Sequence, residues 1–141
     1  MRHRLLFLAA ALWWGSLTAL GAWIVPLLFI NLPTPALAGG MAAKLFTAQT
    51  WAALVCGLCL LLFLRPNQAL GLVAPLYPAT ILIVSGMLLA LLVEFAVAPR
   101  IALRENLRLW HSLGSGMLLL QWLCAAGTVW VLSGPPVRAQ V

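Results

Sequence analysis

Two side chains able to exchange a proton, Glu94 and His111, flank the stretch "APRIALRENLRLW" in a chain that carries only two acidic residues. Imidazole is the side chain that titrates nearest neutrality, so a carboxyl and an imidazole brought together offer proton exchange or the binding of a polar substrate or ion. A hairpin centred near Leu103 sets Glu94 nine residues before the turn and His111 eight after it, at matching depth on antiparallel helices. Lys44 enters the preceding helix from the same side, and Arg100 stands at the neck of the hairpin. Glu94, His111, Lys44 and Arg100 are therefore expected to converge in one polar layer. An ionised carboxylate in hydrocarbon costs about 2.5–3.5 kcal/mol, so Glu94 must face the bundle and find a partner or a proton. The same layer can serve as a plain lock between helices, or lie shallow enough to meet water.

Cys56 and Cys59 form a C-x-x-C, which in a soluble redox protein suggests thiol exchange. Inside a helix they share a face, and Cys124 falls near the depth of Cys59 on the last helix. With Met87 and Met117 nearby, these soft atoms are a weak Cu(I) set, and cysteine in a membrane helix more commonly acts as a small apolar residue. The metal candidates are thus His111, Cys56, Cys59 and Cys124. The pattern of a classical zinc site is absent. Bis-histidine haem ligation has only His3, at the very start, to pair with His111. No Ser–His–Asp set, paired catalytic carboxylates or phosphate-cradling glycine loop stands out, and no cofactor is expected.

The elements that must position these groups follow from composition. A chain of 141 residues that is 65% hydrophobic and 7% charged, with mean hydropathy +1.10, lacks the polar surface of a soluble domain. About 20 apolar residues cross a hydrocarbon core, and four runs suffice: Leu5–Ile30, Met41–Leu64, Gly71–Ala98 and Leu109–Ser133. One all-α, four-helix antiparallel membrane domain over residues 1–141 uses up the chain. The net charge of +6 sits mostly at helix ends, which reads as anchoring and topology signal rather than nucleic-acid binding. The N-terminal "MRHRLLFLAAALWWGSLTALGAW" mimics a secretory signal, but its apolar run is too long for one and is expected to be retained. Basic residues tie between the two sides: Arg2, Arg4, Arg65 and Arg138 against Lys44, Arg100, Arg104 and Arg108. The weight of the first helix and the presence of Glu105 place both termini in the cytoplasm.

Along the chain, Gly15 and Ala19 have the spacing of a small-residue packing face, and Pro26 should bend the end of the first helix. "NLPTPALAGG" is expected to be a loop, rigid at its prolines and loose at its glycines. Pro75 and Pro78 sit in the first turns of the third helix, where a missing amide proton costs less. Gly114-Ser115-Gly116 permits close approach in the fourth. Gln49, Ser112, Ser115 and Gln121 read as ordinary interhelical hydrogen-bonding groups. No internal repeat stands out. Arg100, Arg104 and Arg108 recur every four residues, which on a continuous helix makes a basic stripe for anionic headgroups.

Taken in order, Trp14-Gly15 with Pro26 and Phe29, Ala38-Gly39, Phe46, "APRI" from Ala98 to Ile101 and "WHSLGS" from Trp110 to Ser115 resemble the bacterial family called domain of unknown function 4149, related to eukaryotic transmembrane protein 205. The resemblance implies a small four-helix protein of the bacterial inner membrane with no assigned reaction. The eukaryotic relatives' association with drug and platinum resistance and with secretion hints at export or metal handling. It draws attention to His111, Pro99 and Arg100, and leaves Glu94 and the cysteines outside its segments.

The expectation is a non-enzymatic structural or transport-associated membrane subunit, associating with itself or another membrane protein and with anionic headgroups. The alternatives are a metal- or haem-binding protein using His111, and an oligomeric proton-coupled transporter using Glu94.

Overall fold

The structure is a computed structural model and describes residues 2–64 and 76–134. Arg65, Gly71, Pro75 and Arg138 lie outside the described residues, as do the side chains of Arg2 and His3. Helix one runs over residues 2–31, helix two over Pro35–Phe63, helix three over residues 76–102 and helix four over Leu107–Ser133. Each is long and apolar enough to cross a membrane, and the chain is a multi-pass all-α membrane protein. Successive helices pack as neighbours, and helix four closes the ring against helix one.

Proline explains where the helices depart from expectation. Helix two begins at Pro35 rather than Met41, because Thr34 caps it: its hydroxyl oxygen accepts the Leu37 N–H at 3.3 Å. Proline in the first turn is pre-organised for a helix start, so Gly39 and Gly40 are helical and not loop. Helix three does not stop at Ala98 but runs through Pro99 to Ala102. A proline has no N–H for the carbonyl four residues back, and its ring crowds that carbonyl. The backbone widens instead into a π turn, Val93–Val97, in which the Ala98 N–H reaches the Val93 carbonyl. Helix one treats Pro26 the same way, with a π turn at Leu20–Ile24 closed by Val25 N–H to Leu20 O.

These two defects belong to an internal repeat. The buried positions of helix one, Leu6, Ala10, Trp13, Leu17 and Leu20, recur at one constant offset as Ala79, Ile83, Gly86, Ala90 and Val93. The π turns and Pro26/Pro99 keep that offset. Helix two matches helix four in the same manner: Ala42, Gln49, Ala53, Cys56 and Leu60 answer to Gly114, Gln121, Ala125, Thr128 and Leu132. The molecule is two like hairpins around a pseudo-two-fold axis along the membrane normal, the parallel-repeat arrangement.

Trp13 fills that axis. It is wholly buried, and its ring edge lies where a side chain on Gly86 would be: a Cβ there would stand 2.5 Å from Trp13 Cη2. A Cβ on Gly57 would likewise stand 2.5 Å from Met87 Sδ, and one on Gly114 would meet Val97 Cγ1 at 3.2 Å. Gly15, by contrast, is exposed with nothing within 4 Å of a built Cβ, so its small-residue spacing does not pack inside the bundle. Gly15→Ala is therefore expected to raise the thermal midpoint in mild detergent slightly, through helix propensity worth up to about 1 kcal/mol. Gly57→Ala should cost only modestly, since the obstacle is the flexible end of Met87.

Candidate functional site

Glu94 stands in the π turn that Pro99 imposes, half-buried, and its Oε1 accepts a hydrogen bond from Thr47 Oγ1 on helix two at 2.9 Å. A π turn adds a residue to the helical turn and re-aims the side chains in it. The expected layer of Glu94, His111, Lys44 and Arg100 does not assemble around this carboxylate. Lys44 is exposed, and so is His111; among the described residues no hydrogen bond or ion pair joins either to Glu94. The reason is rotation rather than depth. The packed face of helix four runs through half-buried Trp110 and buried Gly114 and Gln121. His111 is one residue round from Trp110, about 100° in an α-helix.

Arg100 turns to Trp110 instead, its guanidinium carbon 4.3 Å from the ring centroid. This cation–π contact ties the end of helix three to the start of helix four. The expected basic stripe is also broken. Leu103–Asn106 forms a tight turn with Arg104 at φ 56 and Asn106 at φ 33, so Arg100 and Arg108 belong to different helices.

Two further clasps complete the ring. Gln49 Nε2 on helix two donates to Ser16 Oγ on helix one at 3.0 Å, and Ser16 donates onward to the Trp13 carbonyl at 2.9 Å. Trp122 Nε1 on helix four donates to Thr18 Oγ1 on helix one at 2.8 Å, with the Trp14 and Trp122 rings 5.8 Å apart. Among the described residues each neighbouring pair of helices thus carries at least one polar side-chain tie: Ser16–Gln49, Thr47–Glu94, Arg100–Trp110 and Thr18–Trp122. Thr47 lies one turn deeper than Lys44 on helix two, and that spacing is the signal by which the sequence could have named it. Gln121 is 2% exposed, and among the described residues its Nε2 has no partner.

Cys56 is buried, Cys59 and Cys124 are half-buried, and all three are free thiols. Cys56 and Cys59 lie beside one another on one helix face, but among the described residues no three His, Cys, Asp or Glu side chains come together as a metal site. Cys124 Cβ packs beside Gly86, which is the contact of a small apolar residue.

The sequence model of the family described as Domain of unknown function (DUF4149) matches residues 8–108, and the chain belongs to that family. The match takes in Lys44, Thr47, Glu94 and Arg100 and ends before His111 and Cys124. No curated protein and no solved structure matches the chain.

Proposed function

We propose that this member of the family is a non-enzymatic structural or transport-associated subunit of the bacterial inner membrane, with both termini in the cytoplasm. It works by lateral contact with another membrane protein or a second copy, and not as a conduit of its own. The observation that carries the reading is the filled axis, where buried Trp13 lies edge-on against Gly86. A conduit through one chain would have to displace its largest core side chain. The four polar ties support the same reading, because they hold neighbouring helices together.

Partner contact falls to the outer surface, where Trp130 is 81% and Trp23 69% exposed. Aromatic residues of this kind are favoured at interfaces. A photo-reactive phenylalanine analogue placed at either position in native membranes is expected to give an adduct of discrete mass containing a second protein chain. Lipid adducts alone at both positions contradict the proposal.

A proton-coupled role for Glu94 is the second reading, favoured by the carboxyl's place in a π turn within a membrane span, since such turns recur at functional sites. The reading in which His111 ligates metal or haem has no gathered set of ligands behind it.

A further inference from the structure

The repeat leaves one asymmetry. Between helices two and three, Thr47 and Glu94 bridge the bundle at the level of the π turn. The equivalent positions between helices four and one are Leu119 and Gly21, and they form no bridge. Beyond its π turn helix one packs on helix two rather than helix four, so the interface there opens as a wedge. Its space of about 390 Å³ is lined by Leu20, Gly21, Ala22, Phe46, Leu119 and Trp122, among others.

The wall on helix four continues towards the membrane surface as a face of different chemistry. Arg108, His111, Ser115, Leu118 and Trp122 follow one another at helical spacings of three and four, which puts them on one side of the helix. Arg108, His111 and Ser115 are all exposed. From Leu118 to Arg108 is about 15 Å along the helix at 1.5 Å per residue, which is roughly half a hydrocarbon core of about 30 Å. The apolar wedge and its cationic mouth therefore span the depth of a single leaflet.

We propose that this wedge between helices one and four is a binding cleft for an anionic phospholipid. The acyl chain lies against Gly21, Leu119 and Trp122, and the headgroup phosphate is held at Arg108 and His111. Charge decides the occupant. A second copy would bring the same Arg108 cation to the same mouth. The chain's acids are Glu94, already held by Thr47, and Glu105, which lies in a turn with Arg104 beside it and Arg108 just beyond. An anionic headgroup answers the Arg108 cation, and juxtamembrane Lys and Arg attract such headgroups by about 1 kcal/mol each, or roughly five-fold per residue.

The test uses the purified full-length chain in mild detergent, stripped of lipid. It is titrated by native mass spectrometry with phosphatidylglycerol and phosphatidylcholine of identical acyl chains. Phosphatidylglycerol is expected to bind about five-fold or more tighter. Arg108→Gln should remove most of that preference, weakening phosphatidylglycerol more than phosphatidylcholine. Gly21→Leu, which fills a space where a Cβ meets nothing within 4 Å, should weaken both lipids, and Gly15→Leu on the exposed face should weaken neither. If Gly21→Leu does not give a monodisperse particle, Leu119→Trp fills the wedge from the other side and is read in its place. Equal binding of the two lipids, or undiminished binding when the wedge is filled, means annular lipid only and overturns the proposal. So does a wild-type dimer that the filling substitution dissociates, which would mean that a second copy occupies the wedge.

Discussion

Gly86→Ala will destabilise the bundle by about 1–3 kcal/mol, and Gly86→Leu will leave little folded protein, because overpacking a filled core forces backbone to move. The new methyl would stand 2.5 Å from Trp13 Cη2, 2.7 Å from Trp13 Cζ2 and 3.3 Å from Cys124 Cβ. Neither neighbour yields cheaply: the indole is rigid and wholly buried, and a Cβ moves only with its helix. Gly57→Ala is the contrasting case, since Met87 can swing away. The measurement is the thermal midpoint of the purified variants in one detergent. Its decisive form is a cycle with Trp13→Phe, which lacks the two indole atoms in the way. The double variant Trp13→Phe with Gly86→Ala should be more stable than the two single losses added together. Strict additivity would mean that Trp13 and Gly86 do not meet.

The second large effect concerns Glu94, and it is a difference between two ways of breaking one tie. Thr47→Val removes the donor and leaves a carboxyl in a membrane span without its partner, which costs about 1–3 kcal/mol for a buried polar group left unsatisfied. The half-exposure of Glu94 places the loss towards the lower end of that range. Glu94→Leu removes the group that needed satisfying and should cost less, and the double variant should lie near Glu94→Leu alone. Replacing both partners of a hydrogen bond by apolar groups of similar shape can be nearly neutral. Chemical denaturation in mixed micelles gives the four stabilities. Equal costs for Thr47→Val with Glu94 present and with Glu94 replaced would show the two side chains to be uncoupled.

The four spans were legible because hydrophobicity alone decides whether a helix crosses a membrane. Their ends were less so, because Pro35 and Pro99 read as breaks. Pro35 starts a helix capped by Thr34, and Pro99 is carried within one by the π turn before it. The repeat was invisible for a packing reason. Several equivalent positions in helices one and three pair a large residue with a small one: Trp13 with Gly86, Leu6 with Ala79, Ala10 with Ile83. A shared core takes complementary volumes, so the halves agree in burial and differ in residue type.

Within the site, the need of Glu94 for a partner was readable from the cost of an acid in lipid. Its partner was not. Matching His111 to Glu94 by depth ignores helical phase, which Gly114 sets by packing on Val97. Gln49 was readable as an interhelical hydrogen-bonding group, and it bonds Ser16; Thr47 carried its signal in its spacing from Lys44 but resembled an ordinary polar residue of a membrane helix.

The claim that this chain acts through its outer surface around a closed axis is tested most directly by flux. The purified protein is reconstituted alone into sealed vesicles holding a pH-sensitive dye, and an imposed proton or potassium gradient is followed with and without protein. The account predicts decay no faster than in protein-free vesicles, for wild type and Glu94→Gln alike. Wild-type flux that Glu94→Gln abolishes, with the variant still folded and inserted, would contradict it and make Glu94 the carrier of a transported proton.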